Sequence, residues 1–440
     1  MLVEKYRIIS VLIFAAVWVQ MCIGFISDEI IPVGGVVSIA FLFADVVFLV
    51  AGLLMMRTRR DFFFLLTFVG IAAVSTIVND QSLADVLNGS REFFGLLFVI
   101  PVIRFMLLSK DGARFARSVD TQLKWFLVVQ AFAVTYQFIK YGANDHGGGT
   151  FGYGGSGQVS SLIYMVSYYL VMKNWDSGKT FLRNLHANRW WVLLLYPTFL
   201  NETKVSFVFL VVYFMTLTEI NRHFIFRTIK VLPVMILVIV GAGWVYFATT
   251  PADADEMMTV EFFDSYLVGQ DIDEIVEKAI MVQDEGLVGE SDFLVDVPRF
   301  GKVFLVPEAL SHTKGGMWLG AGLGQFKGGN LVKKSQFASR YQWLLYGSVL
   351  FLFFVLIQLG IVGVIWFAAD VITAVFVKNT RSVYGINVSL YVLMNILISV
   401  IYNDQMRYIS VCFLMFYLVM WGLQPAGDAD QKLTPRVRVA

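Results

Sequence analysis

The chain has 440 residues, 58% hydrophobic, 15% aromatic and only 15% charged, with a formal net charge of +1. Ordinary soluble domains carry about 25% charged residues, so this composition excludes a soluble globular protein. It also excludes a nucleic-acid binder, because no basic patch with interleaved aromatics is present.

A helix needs about 20 apolar residues to cross hydrocarbon, and such stretches recur along the chain. They run Ile8–Phe25, Ile30–Met56, Phe62–Val78, Phe93–Leu108, Leu123–Lys140 and Ser156–Met172. Trp190–Leu200, Val205–Leu217, Val231–Thr249, Leu344–Phe367, Val383–Ile401 and Tyr408–Trp421 follow. The reading is an all-α, polytopic integral membrane protein with about twelve transmembrane helices. Backbone polar groups in lipid must be satisfied within each segment, which makes the spans helical. Residues 1–250 hold nine spans, 251–343 a large extracytoplasmic loop, 344–422 the last three spans, and 423–440 a tail.

Positive charge orients the bundle. Lys5 and Arg7, Arg57 to Arg60, Lys110 to Arg117, Lys173 to Arg189, Arg222 to Lys230, Lys378 with Arg381, and Arg436 with Arg438 all fall on one side when the spans alternate. Both termini are therefore expected in the cytoplasm. The first segment lacks a small-residue cleavage site and is not read as a signal peptide. Cys22 and Cys412 lie inside spans, so no disulfide between them and no Cys/His metal centre is expected. No repeat, no inverted pair of broken spans and no phosphate-loop lysine motif is visible.

The outer interval from Pro251 to Tyr341 is electrostatically divided. Acids crowd Asp253 to Asp296 against a single Lys278, and Lys302, Lys314, Lys327, Lys333, Lys334 and Arg340 follow Arg299 with only Glu308 opposed. Ile272, Ile275, Val276, Ala279 and Ile280 have amphipathic helical spacing, and Asp271 with Glu274 resembles a capping box. A small helical lid is expected, its acids either merely solvated or able to recruit a partner. Its cations, Arg299 and Arg340 foremost, suit a lipid phosphate or are ordinary solvent-facing charges.

Two shorter outer features add candidates. Asn144-Asp145-His146 opens a glycine-rich run to Gly157, which either exposes amide donors to a ligand or is a flexible loop. Asn201-Glu202-Thr203-Lys204 is a polar knot between two spans, where Glu202 and Lys204 are costly unless paired or used. Asp404 and Arg407, between the last two spans, line an outer mouth or pair with each other. Asp45 and Asp370 are embedded acids, read as nearing helix ends or partner helices.

Several stretches resemble the bacterial O-antigen and exopolysaccharide polymerase and O-antigen ligase superfamily. They are Glu202-Thr203-Lys204-Val205-Ser206 before a span, Gly149-Thr150-Phe151-Gly152, Gly320-Ala321-Gly322-Leu323-Gly324-Gln325-Phe326, and Gln358-Leu359-Gly360-Ile361-Val362-Gly363. The last is similar to that family's Glu-Leu-Gly-x-x-Gly. Lys204 stands where the family usually has Arg, which keeps the charge and loses the planar fork. The His-Asn of many ligases is absent near Ser348 to Phe351, which favours a polymerase.

The resemblance implies a metal-independent, cofactor-free glycosyltransferase acting on an undecaprenyl-pyrophosphate-linked glycan at the outer face of the bacterial inner membrane. It would then place Lys204, Arg299 and Arg340 on the phosphates, and His312 or Glu308, four residues apart, as the base. A chain-length regulator is the protein partner that the acidic lid can recruit. A lipid-linked glycan flippase or other transporter is the rival class, with ionisable residues buried at mid-span. A non-catalytic scaffold is the third.

Overall fold

A computed structural model of the chain describes residues 2–32, 34–142, 147–176, 178–201, 205–217, 299–325, 337, 341, 344, 349–376 and 383–420. Among them the fold is entirely helical, with no strand. The predicted helix over residues 272–280 lies outside the described residues, as does the span over residues 231–249.

The first half comprises α1 (Leu2–Phe25), α2 (Gly34–Met55), α3 (Arg59–Val78), α4 (Leu83–Ser90), α5 (Phe94–Leu108), α6 (Gly112–Tyr141) and α7 (Ser156–Lys173). After it come α8 (Phe181–Ala187), α9 (Arg189–Leu193), α10 (Pro197–Leu200) and α11 (Val205–Thr216). The remaining described helices are α12 (Arg299–Ser311), α13 (Gly316–Leu319), α14 (Phe351–Phe376), α15 (Val383–Tyr402) and α16 (Ile409–Met420). Among the described residues, four segments are long and apolar enough to cross a membrane: Ile8–Ile30, Gly35–Met55, Arg59–Val78 and Phe351–Ala374.

Burial separates the centre from the perimeter. Every residue of α16 is buried, and α7 is buried nearly throughout. These two form the axis against which α1, α5 and α15 pack. In contrast α1 to α3 expose Val11, Ile39, Val50, Leu66 and Ile77, apolar side chains suited to a lipid surround.

The predicted span Trp190–Leu200 is not one helix. Pro197 has no N–H to donate and its ring clashes with the carbonyl four residues back, so α9 stops at Leu193. Bonds of the i to i−3 type at Leu195, Tyr196, Thr198 and Phe199 carry the chain on. Such turns rise about 2.0 Å per residue, which stretches a short segment further than an α-helix would.

The embedded acids are paired. Arg60 reaches Asp370 at 3.0 Å and tethers α3 to α14 at one end. Arg104 pairs with Asp61, and Lys173 with Asp120. Asp45 lies roughly half-way along α2, about 16 Å from its start at 1.5 Å per residue. Of the two alternatives in the sequence reading, a helix end or a partner, Asp45 takes the second: it meets Arg91 at 2.6 Å.

Candidate functional site

The half of the bundle predicted to face outward holds a pocket of about 490 Å³, lined by Gln20, Val37, Ser38, Ile39, Phe41, Leu42, Asp45, Arg91, Glu92, Arg407 and Tyr408. Three local structures place its charges. Ser82 caps α4 by accepting the Asp85 amide at 3.1 Å, and a single turn, Arg91–Phe93, then joins α4 to α5. The Arg91–Asp45 contact sets that turn level with the middle of α2. The second structure is the Gln405–Arg407 turn between α15 and α16. Asn403 Oδ1 accepts the Gln405 amide at 3.1 Å, and Gln405 Nε2 donates to Ser161 at 3.0 Å and to Ser399. Its buried glutamine anchors the turn, so Arg407 projects from a fixed base.

Arg407 makes three contacts at once. Its guanidinium donates to Glu92 at 2.5 Å and to Asp404 at 2.7 Å, and lies 4.4 Å from the centre of the Phe354 ring. Burial opposes its charge, but the carboxylates of Glu92 and Asp404 outweigh that and hold its pKa above the ordinary arginine value. Arg91 gives Nε and one Nη to the same oxygen of Asp45, at 2.7 and 2.6 Å. The lining thus carries two guanidiniums and two carboxylates, charge-balanced, beside an apolar wall from α2.

The third local structure joins the two motifs of the later sequence. α14 is broken at Gly360, whose φ is 66°. A helix broken there orphans the carbonyls of Ile357 and Gln358, which residues 361 and 362 would otherwise cap. The amides of Ala321 and Gly322 take their place at 2.8 and 2.9 Å. The backbones approach so closely that a Cβ on Gly320 would meet the Gln358 carbonyl carbon at 2.7 Å, and one on Gly360 the Trp318 oxygen at 2.3 Å. Hence both positions require glycine.

The same 313–324 segment docks on the end of α3: Asn79 accepts from the Gly315 amide at 2.9 Å, Gln81 donates to the Ala321 carbonyl at 2.8 Å, and Lys314 pairs with Asp80. From here a chain of bonds enters the pocket. The Gly324 amide donates to Gln358 Oε1 at 3.0 Å, and Gln358 Nε2 donates to Glu92 at 3.3 Å.

Of the residues singled out by sequence, Asp404 and Arg407 are together, and Arg407 lines the pocket. Glu308 and His312 are also together, 3.4 Å apart, but on the exposed side of α12. The opposite side of α12, with Leu305, Val306, Ala309 and Leu310, packs on Phe353 and Ile357 of α14, whereas Phe354 and Gln358 of α14 contact Arg407 and Glu92. Neither Glu308 nor His312 lines the pocket. Arg299 begins α12, and its side chain lies outside what is described. His146, Glu202, Lys204 and Arg340 lie outside the described residues.

The glycine-rich run is a correction over residues 149–153, whose amides are spent inside the protein and not offered to a ligand. Gly149 donates to Gln137 at 2.7 Å, Thr150 to Gln130 at 2.9 Å and Tyr153 to Asp28 at 2.6 Å. The amides of Phe151 and Gly152 bond within the turn itself. Residues 149–153 form a clamped plug against α6 and α1, not a loose loop.

Sequence reasoning missed Arg91 and Glu92. Their available signal was two adjacent opposite charges directly before an apolar span, and Asp45 was already conspicuous as an embedded acid. Among the described residues no cluster of metal-ligating side chains occurs. No protein-family model matches the chain, and no curated protein matches it in sequence.

Proposed function

We propose that this chain is a polysaccharide polymerase of a bacterial inner membrane, with about twelve spans and both termini cytoplasmic. It would transfer a growing glycan from undecaprenyl pyrophosphate to an incoming lipid-linked repeat unit at the outer face. The observation that carries this reading is the pocket itself: Arg91 and Arg407 flank it, and Val37, Phe41 and Leu42 of α2 form an apolar wall beside them. A ligand with a phosphate head and a hydrocarbon tail meets both halves of that surface.

In the reaction an acceptor hydroxyl oxygen bonds to the anomeric carbon of the donor sugar. The bond from that carbon to the pyrophosphate oxygen breaks, its electron pair leaving with the lipid pyrophosphate. Guanidinium donors favour that developing charge, and among the lining residues Asp45 and Glu92 are the groups able to accept the hydroxyl proton. The resemblance of Gly320–Phe326 and Gln358–Gly363 to polymerase and ligase motifs adds support, since residues 320–324 of the first pack on Gln358 and Gly360 of the second, and Gln358 adjoins Glu92.

One observation favours a second reading, a lipid-linked glycan flippase: the Asp45–Arg91 pair sits at the mid-level of a candidate span. The test is glycan length in membranes of a strain lacking the gene, complemented with wild type, Arg91→Ala or Arg407→Ala at matched protein levels. Long polymer with wild type and single lipid-linked repeats with either variant supports the polymerase. Repeats trapped on the cytoplasmic side without the gene replace it with the flippase, and undiminished lipid-linked polymer lacking transfer to its acceptor replaces it with a ligase.

A further inference from the structure

The 313–324 segment and the charged pocket lie on either side of one side chain. Gln358 is 2% exposed, and its amide is used at both ends: the carbonyl oxygen takes the Gly324 N–H and the nitrogen serves the Glu92 carboxylate. Each end demands its own chemistry. A backbone N–H needs an acceptor and a carboxylate needs a donor, so only a group with both fits without leaving one buried polar atom unmatched. Glu92 in turn orients Arg407 through its other oxygen. Gly89 lies directly beneath, where a Cβ would come within 2.1 Å of the Gly324 nitrogen, so the segment is seated on backbone with no slack.

We infer that Gln358 is a positioning residue that couples docking of the 313–324 segment to the setting of Glu92 and Arg407 in the pocket. When the segment is seated, the Gly324 amide fixes the Gln358 side chain, and that side chain fixes the Glu92 carboxylate. When the segment lifts, Gln358 loses its acceptor role, Glu92 loses a donor, and Arg407 is left with Asp404 as its nearer anchor. Occupancy of the pocket and seating of the outer segment are then reciprocally linked, as any coupling between two sites must be. The functional consequence rests on the polymerase reading; the mechanical coupling does not.

The test uses the full chain in detergent with three variants, Gln358→Glu, Gln358→Met and Gln358→Glu combined with Glu92→Gln. Position 358 bonds Glu92 directly, with Arg407 and Asp404 behind it; Arg91 and Asp45 share the pocket lining with Glu92, Asp85 of α4 lies against Gly324, and Lys314 pairs with Asp80 where the segment meets α3. A carboxyl introduced beside Glu92 in a buried place favours its protonated form. Protonated, it both donates and accepts as the amide does; ionised, it repels Glu92. Amide exchange over residues 315–325, corrected for the intrinsic pH dependence, reads the seating.

Gln358→Glu should exchange about tenfold faster than wild type near pH 8 and return to wild type near about pH 5.5. Gln358→Met should be fast at both, and the double variant should be slow near pH 8. Wild-type exchange in Gln358→Met, or a Gln358→Glu profile that does not change with pH, overturns the coupling. Polymer length in the same strains is a separate readout: loss of polymer in Gln358→Glu that recovers on acidification extends the coupling to activity. A chain that makes no polymer at all sinks the polymerase reading while leaving the exchange result to stand or fall by itself.

Discussion

Glu92 and Arg407 are 315 positions apart in sequence and 2.5 Å apart in space. Their contact joins the turn before α5 to the turn before α16, and these two helices pack along their lengths in the centre of the bundle. Its consequences are measurable. Arg407 serves Glu92, Asp404 and the Phe354 ring from one planar group, a geometry that an ammonium cannot reproduce. Arg407→Lys should therefore lower stability by about 1–3 kcal/mol despite keeping the charge. A double-mutant cycle of Arg407→Lys with Glu92→Gln, read by thermal unfolding in detergent, should show a coupling of at least about 1 kcal/mol. Additive effects would mean that the two side chains act independently.

The Asp45–Arg91 pair predicts an asymmetry. Asp45→Leu leaves a guanidinium at the mid-level of α2 without its counter-charge and should destabilise by about 3 kcal/mol, somewhat less if Arg91 turns outward through its exposed edge. Asp45→Leu with Arg91→Met removes both charges and should be nearer to wild type than either single variant. If the double variant is stable and yet makes no polymer, the pair serves a ligand; if polymer persists, it serves the fold.

Gly24 and Gly70 offer a matched comparison within the perimeter helices. A Cβ on Gly24 would sit 2.0 Å from the Phe151 carbonyl oxygen, whereas nothing lies within 4 Å of one on Gly70. Gly24→Ala must push the clamped plug off α1 and should cost about 1–3 kcal/mol. Gly70→Ala should be neutral or stabilising by up to about 1 kcal/mol through helix propensity. Comparable melting temperatures for the two would refute the close packing of the plug.

Glu308 faces outward on α12 and His312 follows its last residue, and exposed pairs of this kind contribute within about 0.5 kcal/mol. Glu308→Gln and His312→Ala should leave unfolding unchanged. Their effect on polymer length therefore isolates chemistry from folding. Wild-type polymer from both would remove them as base and leave the carboxylates of the pocket.

Much of the fold is legible in the sequence because lipid imposes one rule, a long apolar helix, and α1, α2, α3 and α14 obey it. Trp190–Leu200 escapes the rule because hydropathy does not register where Pro197 interrupts hydrogen bonding. The site is harder to read. Asp404 and Arg407 were visible as charges between two spans, but Arg91 and Glu92 acquire meaning only through Asp45 and Arg407, partners set by packing. Gly320–Gly324 and Gln358–Gly360 were each noticeable as short motifs. That one caps the broken helix of the other follows from a positive φ at Gly360, which a string of residues does not display.

That break has a consequence for assembly. α14 is a candidate span whose hydrogen bonding is completed by residues outside it, the Ala321 and Gly322 amides. Before they dock, Gly360 can take a helical φ and the amides of Ile361 and Val362 can serve the same two carbonyls, so seating residues 320–322 exchanges two intrahelical bonds for two between segments. Residues 320–322 precede α14 in the chain, so they are already made when α14 is complete. The break is thereby a product of docking: the helix gives up its continuity where the 320–322 backbone is laid against it. A cut within 313–324 should accordingly release α14 to an unbroken helix rather than leave its carbonyls bare.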